Sequence, residues 1–144
     1  MSEVADRQAK VTERFQKLLT WEDRYKLLIE GGKKLAVYPE EFRSDDLKVR
    51  GCQSQVWLHA NLDQGRIQFQ ADSDALIVKG LVALLVEVYS NSTPDDILSA
   101  SVDFIKVLGF ESNLSPSRAN GLYAMIKQIY YYATAFRALA RTRE

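Results

Sequence analysis

Residues 55–71 read QVWLHANLDQGRIQFQA, and the hydropathy of this stretch has a period of two. Val56, Leu58, Ala60 and Leu62 fall on one face, with Gln55, Trp57, His59 and Asn61 on the other. Beyond Asp63-Gln64-Gly65, Ile67, Phe69 and Ala71 alternate with Arg66, Gln68 and Gln70. Successive strand side chains point to opposite faces, so the pattern predicts two half-buried strands, and the Asp-Gln-Gly between them supplies the turn of an antiparallel hairpin. Lys48-Val49-Arg50 is expected to add a short third strand, and His59 to stand on the solvent side.

On either side of the hairpin the period lengthens to that of a helix. Upstream, Val11, Phe15, Leu18 and Leu19 recur at helical spacing, and Thr20-Trp21-Glu22-Asp23 reads as a cap with an acidic third position opening a second helix. That helix carries Trp21, Tyr25 and Leu28 on one stripe and is expected to stop at Gly31-Gly32. Residues 36–46 hold Pro39 and many charges and read as a surface connection.

Downstream, Asp72-Ser73-Asp74 is expected to cap a helix running from Ala75 to Val88, apolar nearly all round and so destined for the middle of the core. Thr93-Pro94-Asp95-Asp96 combines a cap, a first-turn proline and two carboxylates, and starts a short helix. Ser115-Pro116 starts the last helix, with Ala119, Leu122, Ile126, Ile129, Ala133 and Phe136 facing inward. The expected fold is α+β, a small antiparallel sheet of about three strands packed against several helices, in one domain spanning residues 1–144.

Composition narrows the function classes. Nineteen basic residues balance nineteen acidic ones, without a Lys/Arg stripe, so nucleic acid is not an expected partner. The polar N-terminus does not read as a secretory signal, and the longest apolar run, Ala75 to Tyr89, is broken by Lys79, Gly80 and Glu87; a cytoplasmic protein with no membrane partner is expected. One cysteine and one histidine leave no internal disulfide and no multi-Cys or multi-His metal site. Any covalent chemistry converges on Cys52.

Cys52 lies in Arg50-Gly51-Cys52-Gln53-Ser54-Gln55, a loop ahead of the first strand. Lys48 and Arg50 are cations that favour a thiolate, and Gly51 gives the backbone freedom to move. The competing reading is a small buried hydrophobe without chemistry. Continuing the strand parity backward puts Cys52 on the inward face, a thiol sheltered at rest. His59 is seven residues on, about 23 Å along an extended chain, too far for a Cys–His dyad. In the last helix Arg118 puts a cation where the macrodipole favours an anion, and Gly121 sits in the helix interior at about 1 kcal/mol relative to alanine, marking a close approach by another element. Asp72 and Asp74 are explained by helix capping, not by metal binding.

The segments Gly51-Cys52-Gln53-Ser54-Gln55-Val56-Trp57, Asp72-Ser73-Asp74 through Gly80, and Leu114-Ser115-Pro116-Ser117-Arg118 with Gly121-Leu122 resemble the SufE family of cysteine desulfuration proteins. The likeness reaches upstream to Trp21-Glu22-Asp23-Arg24-Tyr25. It implies a SufE/IscU-like fold and a sulfur acceptor that takes persulfide sulfur from a SufS-type cysteine desulfurase onto Cys52, stimulates that enzyme, and delivers sulfur to an iron–sulfur scaffold complex. Arg118, Asp74, Gly51, Gln53 and Gln55 are then expected to support the loop or meet the partner. The resemblance implies no cofactor of the chain's own, with PLP on the desulfurase, no independent turnover, and a monomer or homodimer. Two alternatives stay open: a CsdE-type acceptor for a paralogous desulfurase, and a non-catalytic interaction module with an inert Cys52. A cluster scaffold and a self-sufficient sulfurtransferase lack, respectively, the ligands and the reachable base.

Overall fold

The alternation at 55–71 becomes a two-stranded hairpin. The computed structural model describes residues 2–142. Strand β1 (Val56–Asp63) pairs antiparallel with β2 (Arg66–Ser73), Asp63 opposite Arg66 and Val56 opposite Ser73. Gln64 (φ 52°) and Gly65 (φ 81°) form a two-residue turn with both residues left-handed, a geometry whose twist matches that of the strands. Val56, Leu58, Ile67, Phe69 and Ala71 bury toward the helices, as the period requires.

The third strand is corrected to an isolated bridge, Lys48 to Trp57, beside a 2.8 Å bond from the Val49 N–H to the Val56 carbonyl. Pairing stops there because the chain turns away through Gly51, whose φ is 90°. The hairpin's second face is not left to solvent either. Residues of the 36–46 connection fold over it: the Phe42 ring stacks on His59 with centroids 3.7 Å apart, and the Arg43 guanidinium lies over the rings of Trp57 and Tyr38. A tryptophan is a large apolar surface to leave in water, and the cation held over its face, itself paired with Asp72, covers it to 8% exposure.

Helix α1 (Glu3–Gln16) buries Val11 and Phe15 but ends before Leu18 and Leu19; Leu19 is 95% exposed. Helix α2 (Trp21–Lys33) begins as expected, the Thr20 hydroxyl accepting from the Asp23 N–H. It does not stop at Gly31-Gly32. It passes through both, because Gly32 and Gly80 are the contact at which α2 crosses α3 (Leu76–Tyr89): an added Cβ on Gly32 would stand 3.0 Å from the Gly80 nitrogen. Helix α3 is buried on most sides and lies at the centre of the core.

The expected Asp72-Ser73-Asp74 cap is also corrected. Asp72 and Ser73 complete β2, and Ala75 precedes α3 without a side-chain cap. The carboxylates are committed to tertiary partners instead, Asp72 to Arg43 and Lys79, and Asp74 to Gln55. Burial raises the Asp72 pKa, but the bonds from Arg43, the Ser73 backbone and Lys79 outweigh it and hold the group below the usual carboxylate range.

Helix α4 (Pro94–Ser99) starts at the predicted Thr93 cap. Two short helices follow, α5 (Phe104–Leu108) and α6 (Phe110–Asn113), hinged at the left-handed Gly109. Helix α7 (Pro116–Thr142) buries Leu122, Ile126, Ile129 and Ala133 and half-buries Ala119 and Phe136. The architecture is α+β, with helices packed on one face of the hairpin. Among the described residues no helix is long and apolar enough to cross a membrane.

Candidate functional site

Residues 50–54 form a loop tied at both ends. At its base the Val49 N–H reaches the Val56 carbonyl at 2.8 Å. At its far side Gln55 and Asp74 clamp one another: the Gln55 N–H donates to the Asp74 carboxylate at 3.1 Å, and the Asp74 N–H donates to the Gln55 carbonyl at 3.3 Å. Gly51 has a conformational reason to be glycine, since its φ of 90° is one that side-chain-bearing residues rarely adopt.

This geometry lays Cys52 against α7. The thiol is half-buried, its S–H donates to the Gly121 carbonyl at 3.6 Å, and a Cβ added at Gly121 would stand 3.4 Å from Sγ. The close approach predicted at Gly121 is therefore Cys52 itself. The inward placement read from strand parity also holds. The thiolate-favouring role of Lys48 and Arg50 does not. Lys48 is paired with Asp45 at 3.0 Å, Arg50 points into solvent, and burial pushes the Cys52 pKa up. Removing a thiolate from water without a compensating cation disfavours the charged form.

A cavity of about 300 Å³ opens beside the thiol. Cys52, Gln53 and Ser54 of the loop line it, together with Ser115, Ser117 and Arg118 at the start of α7. Val78, Leu81 and Met125 make an apolar floor. The Ser115 hydroxyl accepts from the Arg118 N–H at 3.3 Å, while the Arg118 guanidinium makes no ion pair among the described residues. The structure thus brings Gly51, Cys52, Gln53 and Arg118 together, with Gln55 and Asp74 as the clamp behind them. Ser115 and Ser117 are read in the sequence as part of the α7 start and of the third family-like segment, not as site residues, and Met125 carries no sequence signal of its own. Gly121 was their signal: Ser117 and Met125 stand one helical turn to either side of it, on the same face.

A larger cavity, about 550 Å³, lies between α2, α3 and β2, floored by Leu28, Phe69 and Ala71 and bridged at its rim by the Arg14–Glu87 pair. Cys52 is not among its lining residues. His59 stands on the opposite face of the hairpin under Phe42, with its Nδ1 buried and without a hydrogen-bond partner. No dyad with Cys52 is assembled. Among the described residues no group of three or more His, Cys, Asp or Glu side chains is placed to hold a metal ion.

Comparison with known proteins gives concordant results. Residues 9–133 match the family model described as SufE, an Fe–S metabolism associated domain. An uncharacterized SufE-like protein of Synechocystis sp. is 44% identical over 128 residues, covering 89% of this chain and 80% of that protein. A solution structure of a hypothetical protein from Thermus thermophilus superposes with a TM-score of 0.75 at 24% identity, covering 90% of this chain and 94% of the other. The last likeness concerns the fold alone.

Proposed function

The chain belongs to the SufE family, and from that premise we propose that it is a sulfur acceptor and carrier, taking persulfide sulfur from a PLP-dependent, SufS-type cysteine desulfurase onto Cys52. One observation carries the reading: the chain's single cysteine sits on a clamped surface loop, beside a cavity, with its thiol half-sheltered against α7. A cysteine meant only to fill a core needs neither the loop nor the cavity.

At rest, burial disfavours the Cys52 thiolate. Sulfur transfer requires Cys52 to leave Gly121, gain water or a partner's polar surface, and lose its proton. The thiolate then attacks the outer sulfur of the donor persulfide. A new S–S bond forms to Cys52, the bond to the donor cysteine breaks, and the donor leaves as thiolate. Folding back returns the loaded sulfur to the cavity, away from stray oxidants and thiols. The protein uses no cofactor of its own; PLP remains with the desulfurase, which the acceptor stimulates by removing its sulfur. The load passes on to an iron–sulfur scaffold.

Sulfide release by a SufS-type desulfurase supplied with cysteine and a reductant tests this. Wild-type chain is expected to accelerate release and Cys52→Ser to leave it at the basal rate. Equal acceleration by both proteins would reduce the chain to an interaction module.

A further inference from the structure

The cavity beside Cys52 is larger than a carrier of one sulfur atom needs. It measures about 300 Å³, while one added sulfur takes roughly the space of a water molecule, about 30 Å³. The remaining room has a definite chemistry. Arg118, exposed and without an ion pair among the described residues, is one of its lining residues, as are Ser115 and Ser117, whose hydroxyls stand 3.5 Å apart. A guanidinium's planar fork matches the two oxygens of a carboxylate. Val78, Leu81 and Met125 below offer an apolar surface suited to a short carbon chain. Cys52 belongs to the same lining.

A short thiol bearing a carboxylate fits all three features. We infer that the cavity is an acceptor subsite for a small anionic thiol, anchored through its carboxylate by Arg118, so that sulfur held on Cys52 can leave on a free thiol without a second protein. The inference rests on the carrier reading above. The step balances as a sulfane transfer: the incoming thiolate attacks the outer sulfur of the Cys52 persulfide, a new S–S bond forms, the bond to Cys52 breaks, and Cys52 departs as thiolate. No external oxidant or reductant takes part.

The test loads Cys52 chemically with inorganic polysulfide, so no desulfurase is involved, and follows discharge by intact mass with two thiols of similar length, mercaptopropionate and mercaptoethanol. The same pair acting on the urea-unfolded persulfide gives the baseline that removes differences in thiol basicity. In the folded chain mercaptopropionate is expected to be favoured over that baseline by about three- to tenfold, the range for a charge-assisted contact at a partly exposed arginine. Arg118→Gln is expected to bring the ratio back to the baseline. Arg50→Gln, an exposed cation two residues from Cys52 and outside the cavity lining, is expected to leave the preference in place. A preference that survives Arg118→Gln, that is lost equally in Arg50→Gln, or that never exceeds the baseline overturns the subsite. Failure of Cys52 to take up sulfur at all overturns the carrier reading and the subsite with it.

Discussion

Gly80 of α3 and Gly121 of α7 both lie inside a helix, and their contacts differ in tightness. At Gly80 of α3 an added Cβ would stand 2.2 Å from the Leu28 carbonyl oxygen and 2.5 Å from its carbon. At Gly121 of α7 the nearest atom would be the Cys52 sulfur, 3.4 Å away, an ordinary van der Waals separation. The first glycine lets two backbones close on one another, a contact that cannot open without disrupting the core. The second lets a loop rest on a helix, held by a long sulfur hydrogen bond and a polar clamp at Gln55 and Asp74. The same residue type serves a close backbone crossing in one region and a looser loop-on-helix contact in the other, and Cys52 is at the looser one.

The sharpest way to break this contrast is to fill both sites. Gly80→Ala forces backbone out of position and is expected to destabilise the fold by about 3 kcal/mol or more, read as a lower urea midpoint. Gly121→Ala meets only a side chain at contact distance and gains helix propensity, so its stability is expected to stay within about 1 kcal/mol of wild type. Equal losses would mean that Cys52 is packed as rigidly as the α2–α3 crossing.

The clamp sharpens the comparison next. Asp74→Ala removes a charge-assisted bond at an exposed position, and resting Cys52 is expected to alkylate about fivefold faster with iodoacetamide. An unchanged rate would show that the loop is held by something other than the clamp.

The pH dependence is the finer test. Burial raises the Cys52 pKa, so the folded chain binds a proton that the unfolded chain gives up sooner. The sheltered position therefore adds stability below the ordinary thiol pKa, and this contribution is lost as pH rises through the raised value. The alkylation profile of folded protein is expected to lie to higher pH than that of the urea-unfolded chain. Coincident profiles would remove the sheltering argument.

How much of this was legible in the sequence follows from how local each signal is. The hairpin, the Thr20 and Thr93 helix starts and the α7 stripe depend on neighbours a few residues apart, and they were readable. Gly31-Gly32 misled because helix termination and close helix crossing both call for glycine, and only the position of Gly80 decides between them. Asp72 and Asp74 misled in the same way: a carboxylate ahead of a helix can cap it or serve a distant partner, and Arg43, Lys79 and Gln55 claimed them. At the site, Cys52 stood out as the chain's single cysteine, and Arg118 and Gly121 because each broke a local expectation. Met125 did not, since the face of α7 that meets the loop is fixed by tertiary packing; Ser117 was legible only as part of a quoted segment, and Gly121 marked the face.

The central claim is that one sulfur atom moves onto Cys52 during an encounter with a desulfurase. Supplying that enzyme with cysteine radiolabelled in its sulfur, then digesting the mixture without reductant, tests this directly. The account predicts label on the peptide carrying Cys52, released by a thiol reductant and absent from Cys52→Ser. Label confined to the desulfurase, with Cys52 present and unmodified, would contradict it.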